Sequence, residues 1–228
     1  MATGFGTLVV DAACVVLVPL SEQPRLPLTA APPWSRFLEV LRTPAIWSLA
    51  LGVSGLFTAA YVGPAFLSTF VKAAHPSWGL HYAGFVGALA FISTVPGAWW
   101  AGRWSEQGQD RRVVLLIPAV LFGVAFLLLA RANQLEIALL FAALGFLGGA
   151  VLAVALTIPS WLPSTSGDRN SAAIGIVESV EGIARFGGAA AFGLIEVAVG
   201  FGWAWEFTGL LALGTLPLVF GIPANRHG

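Results

Sequence analysis

The chain alternates between long stretches without ionisable side chains and short polar connections. Residues 82–101 contain no Asp, Glu, Lys or Arg, and neither do residues 113–130. An apolar run of about 18 or more residues is long enough to cross the hydrocarbon core of a bilayer as a helix. Between these two runs lies the island Gly102-Arg103-Trp104-Ser105-Glu106-Gln107-Gly108-Gln109-Asp110-Arg111-Arg112. The pattern predicts a hairpin of two spanning helices whose basic turn, 102–112, stays on one side of the membrane. The same criterion predicts six spans, over roughly 46–71, 79–101, 113–130, 136–158, 171–199 and 203–222. A shorter apolar segment over 5–20 reads as a marginal or partly inserted seventh. The expected fold is therefore an all-α, polytopic transmembrane helix bundle.

Residues 21–45, with Pro24, Pro27, Pro32, Pro33 and Pro44, read as a loop outside the membrane. Within it, Arg36-Phe37-Leu38-Glu39-Val40-Leu41-Arg42 places Phe37, Leu38 and Leu41 on one helical face. That suits either a short helix in the membrane interface or one packed on the protein. Small residues recur at a spacing of four in Gly145 and Gly149, in Ala184 and Gly188, and in Gly55, Ala59 and Gly63. In lipid, where the hydrophobic drive between helices is weak, such faces allow close backbone packing. Pro64, Pro96 and Pro118 are expected to bend or end their helices. Residues 223–228 form a short tail.

Composition turns this pattern into a class. Hydrophobic residues make up 57 % of the chain and charged ones 10 %, against about 25 % charged in an average soluble domain. With a mean hydropathy of +0.86, the chain is an integral membrane protein whose first partner is the lipid bilayer. The formal net charge is zero and no basic run suggests nucleic acid. A single cysteine, Cys14, allows no intramolecular disulfide, and His75, His81 and His227 are not spaced as metal ligands. No metal or other cofactor is expected. The N-terminus lacks the basic stretch of a signal peptide and carries Asp11 within its apolar run.

Charge also orients the bundle. With the 102–112 turn in the cytoplasm, Arg25, Arg36, Arg42, Arg103, Arg111, Arg112, Arg169 and Arg226 fall inside, which is eight of the eleven basic residues. Lys72 and Arg131 fall outside, and Arg185 lies within a span. The excess of basic residues on one side predicts a cytoplasmic C-terminus.

The fifth span, 171–199, is the anomaly, because it carries Glu178, Glu181, Arg185 and Glu196. A charge at the bilayer centre costs about 2.5–3.5 kcal/mol on the insertion scale. The Ile, Val, Leu and Phe residues of this span offset only about 0.3–0.6 kcal/mol each. This helix is expected to lie against other helices or a water-filled cavity. Glu178, Glu181 and Arg185 share one face, with Glu181 and Arg185 in the favourable acid-before-base order. They form either a polar patch lining a transport pathway, with a glutamate able to accept a proton, or a self-neutralising pair near the helix end, wetted by the loop at 160–170.

Ser54, Thr58 and Tyr61 lie on neighbouring turns of the first full span and either hydrogen-bond a ligand or bond within the bundle. Gly52-Val53-Ser54-Gly55 also matches the Gly-x-Ser-Gly nucleophile signature of rhomboid intramembrane proteases. A serine nucleophile needs a base within about 3 Å, and no later span carries a histidine deep in the membrane. That makes the protease a remote alternative, and no enzymatic activity is expected.

The turn resembles the loop signature of the major facilitator superfamily of transporters, Gly-x-Leu-Ala-Asp-Arg-x-Gly-Arg-Arg. Gly102 matches the first glycine, Trp104 and Ser105 the Leu and Ala positions, Glu106 the Asp and Arg111 the closing basic residue. Gly108 comes one residue early and Gln107 replaces a basic residue, as in the degenerate copy of the family's second half. Phe201-Gly202-Trp203-Ala204-Trp205-Glu206-Phe207 is similar to the motif that opens the last helix of each half, and Ser171 to Ile195 to the eleventh helix.

The resemblance implies that 46–222 is the family's six-helix C-terminal half, 21–45 its central cytoplasmic loop and 1–20 a remnant of the sixth helix. It implies a secondary transporter working by alternating access on a small molecule, with proton coupling, in the cell membrane, as in efflux. The pathway would be lined by the spans at 46–71, 79–101, 136–158 and 171–199, with Tyr61, Glu178, Glu181 and Arg185 as its polar residues. Gly102, Arg103, Glu106, Gly108, Arg111 and Arg112 would form a gating loop, its acid pairing with cations and capping a helix end. A half of this kind is expected to be completed by a separate N-terminal half or a second copy of itself. The alternative is a truncated, non-transporting membrane protein or scaffold.

Overall fold

A computed structural model describes residues 33–107, 110–162, 165 and 169–223. The predicted segment 5–20 and the tail 224–228 lie outside the described residues. Among the described residues there are helices and no strands. A short helix α1 (Pro33–Leu41) is followed by α2 (Pro44–Ala74), a 3-10 turn (Pro76–Trp78) and α3 (Gly79–Glu106). Then come α4 (Arg111–Leu129), α5 (Gln134–Thr157), α6 (Arg169–Val199) and α7 (Phe201–Thr215), which a 3-10 segment, Leu216–Gly221, extends. Six of these units, α2 to α7, are long and apolar enough to cross a membrane, and they fall on the six predicted spans to within a few residues.

The helix ends follow from local chemistry. Thr43 is extended and Pro44 sits in the first turn of α2, where its missing N–H costs nothing. Asn133 and Glu136 form a capping box at the start of α5. The Glu136 N–H donates to Asn133 Oδ1 at 3.0 Å, and the Asn133 N–H donates to Glu136 Oε2 at 2.8 Å. Gly200, at φ +95°, makes the tight link from α6 to α7 that a residue with a Cβ would strain.

The helix pairs obey an internal symmetry. The most extensive contacts are α3 with α5 and α2 with α6, followed by α4 with α7, α2 with α7, and α4 with α5. Exchanging α2, α3 and α4 for α5, α6 and α7 maps this set onto itself. That is the packing of two three-helix repeats of opposite topology. The result is a front row, α3–α5–α2–α6, backed by α4 and α7.

The predicted small-residue faces make the crossings. A Cβ on Gly145 would fall 2.9 Å from the Ala90 Cα, and one on Gly149 would fall 2.8 Å from the Thr94 Cα. A Cβ on Gly97 would collide with the Phe146 backbone. Gly188 of α6 receives the Thr58 side chain of α2, while Gly55 lies against the Leu211 backbone of α7. Behind the front row, Trp205 is fully buried and packs on Phe70, Phe126 and Phe192, so one indole joins α2, α4, α6 and α7.

Several expectations are corrected. Gly102–Glu106 is helical, so the 102–112 turn shrinks to the few residues between α3 and α4. Pro64, Pro96 and Pro118 lie inside α2, α3 and α4 and end none of them. α1 packs on α6 and α2 through Val40, Phe37 and Leu41, whereas Leu38, expected on the same face, is exposed. The short helix is thus of the kind packed on the protein.

Two stability predictions follow from this packing. Gly149→Leu should destabilise the bundle by about 2 kcal/mol or more through overpacking at the α3–α5 crossing. Gly84→Ala, where the added methyl meets open space inside α3, should instead leave it unchanged or stabilise it by up to about 1 kcal/mol. Trp205→Ala should cost about 3–5 kcal/mol in lost packing. Trp205→Phe should cost far less, because the buried indole N–H has no hydrogen-bond partner to lose. Denaturant unfolding of the purified protein in mild detergent measures all four.

Candidate functional site

Crowding glycines and alanines at the α3–α5 crossing brings these backbones together and leaves a cleft beside them. It has a volume of about 390 Å³ and opens between α2, α3 and α5. Phe57, Phe91, Phe122, Phe126 and Phe141 give it aromatic walls, and the glycines of α5 form its floor. α6 contributes Arg185, the ionisable side chain in the wall among the described residues. The four helices expected to line a pathway all contribute to this cleft, and α4 adds Phe122 and Phe126, which the sequence did not suggest.

Arg185 forms an ion pair with Glu181 one turn earlier. Glu181 is 5 % exposed, so its charge is withdrawn from solvent, whereas the Arg185 side chain is 41 % exposed at the cleft. The guanidinium carbon lies 5.7 Å from the centre of the Phe57 ring, within range of a cation–π contact. Its Nε is buried and has no hydrogen-bond partner. Tyr61, half-exposed on α2, and Glu178, exposed on α6, lie within electrostatic reach of Arg185. Of the four residues expected along a pathway, Glu181 thus pairs with Arg185, and Tyr61 and Glu178 interact with it electrostatically from outside the cleft wall.

The pair is not at a helix end. Glu181 stands twelve residues after Arg169, the first residue of α6, or about 18 Å along the helix at 1.5 Å per residue. The ion pair expected of a self-neutralising arrangement is present, but at mid-helix rather than beside the loop at 160–170. The outward side of α6 carries Ile183, Phe186, Leu194 and Val197, all exposed. Only 6 % of the apolar window of α6 and 17 % of that of α3 are buried, against half or more for α2, α4 and α5.

Other polar candidates have local partners. Ser54 Oγ donates to the Leu51 carbonyl at 2.8 Å, and Thr58 is buried against Gly188. Thr94 Oγ1, in the cleft wall, donates to the Phe91 carbonyl at 2.6 Å. Gly52 and Gly55, the glycines of the protease-like tetrapeptide, pack against the 3-10 segment and α7.

The loop residues gather at one end of the bundle. Gly102 and Arg103 lie exposed on α3, with the Arg103 guanidinium carbon 4.7 Å from the centre of the Trp99 ring. Glu106 is exposed on the last turn of α3, Arg111 opens α4, and Gly108 lies outside the described residues. The capping expected of Glu106 is done by Asp110, whose Oδ1 accepts the Arg112 N–H at 3.0 Å. An Asp directly before Arg-Arg and an apolar run is a recognisable helix-start signal. The Arg112 Nε is buried without a partner. The sequence also did not reveal that Arg169 pairs with Glu39 at 2.6 Å, fastening α1 to the first turn of α6.

No family model matches the chain, and no curated protein matches it in sequence. Among solved structures, the inward-open conformation of the xylose transporter XylE from E. coli matches with a TM-score of 0.58 and 16 % identity. The match covers 85 % of this chain and 48 % of the transporter. The fold is that of about half of this transporter. This chain spans about half the length of the transporter it matches.

Removing Arg185 alone strands a buried carboxylate, while removing both partners strands nothing. Arg185→Gln should therefore destabilise the protein by about 1–3 kcal/mol. The double variant Glu181→Gln/Arg185→Gln should recover most of that loss. A double-mutant cycle in detergent measures the coupling.

Proposed function

We propose that the protein is a half-unit of a secondary transporter that moves a small molecule by alternating access, coupled to proton movement. The observation that carries this is the Glu181–Arg185 pair at mid-helix beside a cleft of a major facilitator-type half-fold. A charge at this depth is expensive, and in transporters such charges mark ion and substrate paths. Protonating Glu181 would free the Arg185 guanidinium toward the cleft, and binding there would be felt by the proton. The groups facing the pair are Glu178 on α6 itself and Tyr61 on α2.

The uncovered faces of α3 and α6 are where the second six-helix half would sit, supplied by a separate chain or a second copy of this one. The excess of Arg at the α3–α4 end, including Arg103, Arg111, Arg112 and Arg169, supports placing that end and the C-terminus in the cytoplasm. Arg103, Arg111 and Arg112, with Gly102, Glu106 and Gly108, would gate the pathway. Asp110 would anchor the turn.

The test is proton flux. Protein in liposomes loaded with a pH dye should acidify or alkalinise the lumen when a transported member of a panel of organic acids, amines and sugars is added. Glu181→Gln should remove the proton signal by about tenfold or more, the scale on which one positioned proton-transfer group acts. An unchanged signal in this variant rules out Glu181 as the proton carrier. A folded protein that moves protons with no member of the panel supports the non-transporting scaffold instead.

A further inference from the structure

The chemistry of the cleft narrows what it can hold, on the premise that it is the transport site. We propose that it binds a small lipophilic organic anion, the acidic group on the Arg185 guanidinium and the apolar body among the phenylalanines.

The walls decide against a sugar. A polyhydroxylated ligand requires a hydrogen-bond partner for nearly every hydroxyl it buries, and an unmatched one loses its bonds to water. The lining offers almost none, since Thr94 already spends its hydroxyl proton on the Phe91 carbonyl. Phe57, Phe91, Phe122, Phe126 and Phe141 instead favour a flat or aliphatic body by area burial and ring stacking.

Electrostatics selects the sign of the charge. The ionised group in the wall is a cation, while the two nearby acids stand outside it. Glu178 is exposed and Glu181 is buried, and neither contributes to the cleft wall. An organic ammonium would meet Arg185 before either carboxylate. A guanidinium carries five N–H donors in a planar fork suited to an oxyanion. Glu181 engages the Nη2 group, and Nε has no partner. Nε is enclosed by the protein, so an anion in the cleft would be met by the rest of the guanidinium, on a side chain that is 41 % exposed.

A matched set of probes tests this by calorimetry on the purified protein in phosphatidylcholine nanodiscs, without transport. The probes are 2-naphthoate, 2-naphthalenemethanol, 2-naphthylmethylammonium and D-xylose. Naphthoate should bind about tenfold or more tighter than the alcohol, as expected for a hydrogen bond to a charged group. Glu181→Gln, which leaves Arg185 without its internal anion, should tighten naphthoate binding further. Glu181→Gln/Arg185→Gln, which removes both charges and strands neither, should abolish the preference for the acid over the alcohol.

A preference that survives in this double variant overturns the proposal. So does a wild type that favours the ammonium, the alcohol or xylose. In phosphatidylglycerol discs, loss of naphthoate affinity identifies an anionic lipid as the occupant and its retention a soluble acid; both sustain the anion site. Acid binding without proton flux would sink the transport reading alone. Flux of amines or sugars without acid binding would sink this proposal alone.

Discussion

A charge held at hydrocarbon depth constrains everything around it. Glu181 and Arg185 stand near the middle of a helix whose apolar residues offset their insertion cost only in part. Pairing them one turn apart removes most of the penalty, and burying Glu181 against the bundle keeps its carboxylate away from lipid. This dictates the rotation of α6. Its polar face turns to α2, where Phe57 receives the guanidinium and Thr58 fits the notch at Gly188, while Ile183, Phe186 and Val197 turn outward. α1, tied by Glu39 to Arg169, holds the first turn of the same helix.

The remainder of the bundle is organised by close approach rather than by hydrophobic sorting, because lipid rewards an exposed leucine almost as well as a buried one. Gly97, Gly145 and Gly149 let α3 and α5 touch backbone to backbone, and Trp205 fills the space where four helices meet. The contact set repeats under exchange of the two three-helix units. Its two most exposed members, α3 and α6, are also equivalent under that exchange. The result is a six-helix unit with two equivalent, largely uncovered helices and a cleft whose one ionisable wall residue among the described residues is Arg185.

Much of this was legible beforehand because the bilayer imposes a simple rule. The spans could be read from charge-free runs, and the Gly145/Gly149 and Gly188 faces from their spacing. Glu178, Glu181 and Arg185 could be read from charges in an apolar stretch. What was misread were local choices that hydropathy does not encode. The charges of Gly102–Glu106 suggested a loop, yet α3 simply extends beyond the apolar core. Of the two outcomes expected for Pro64, Pro96 and Pro118, a bend or an end, no helix end occurs, since each costs one hydrogen bond that a long helix tolerates. Glu106 was assigned the cap by analogy, while Asp110 stood in the N-cap position. Leu38 was placed on the inner face, although Val40 takes that role.

By itself, the sequence determined that this is an all-helical membrane protein with six spans and one of them electrostatically out of place, because a transfer free energy adds up along the chain regardless of how the helices pack. Only the tertiary structure decided where that charge sits and what it meets. Rotation of α6, its glycine contact with α2 and the crossing of α3 on α5 are set by shape complementarity between residues far apart in sequence. Those contacts brought Arg185 into the wall of a cleft and left five phenylalanines around it. A helix with paired charges thereby became one wall of that cleft.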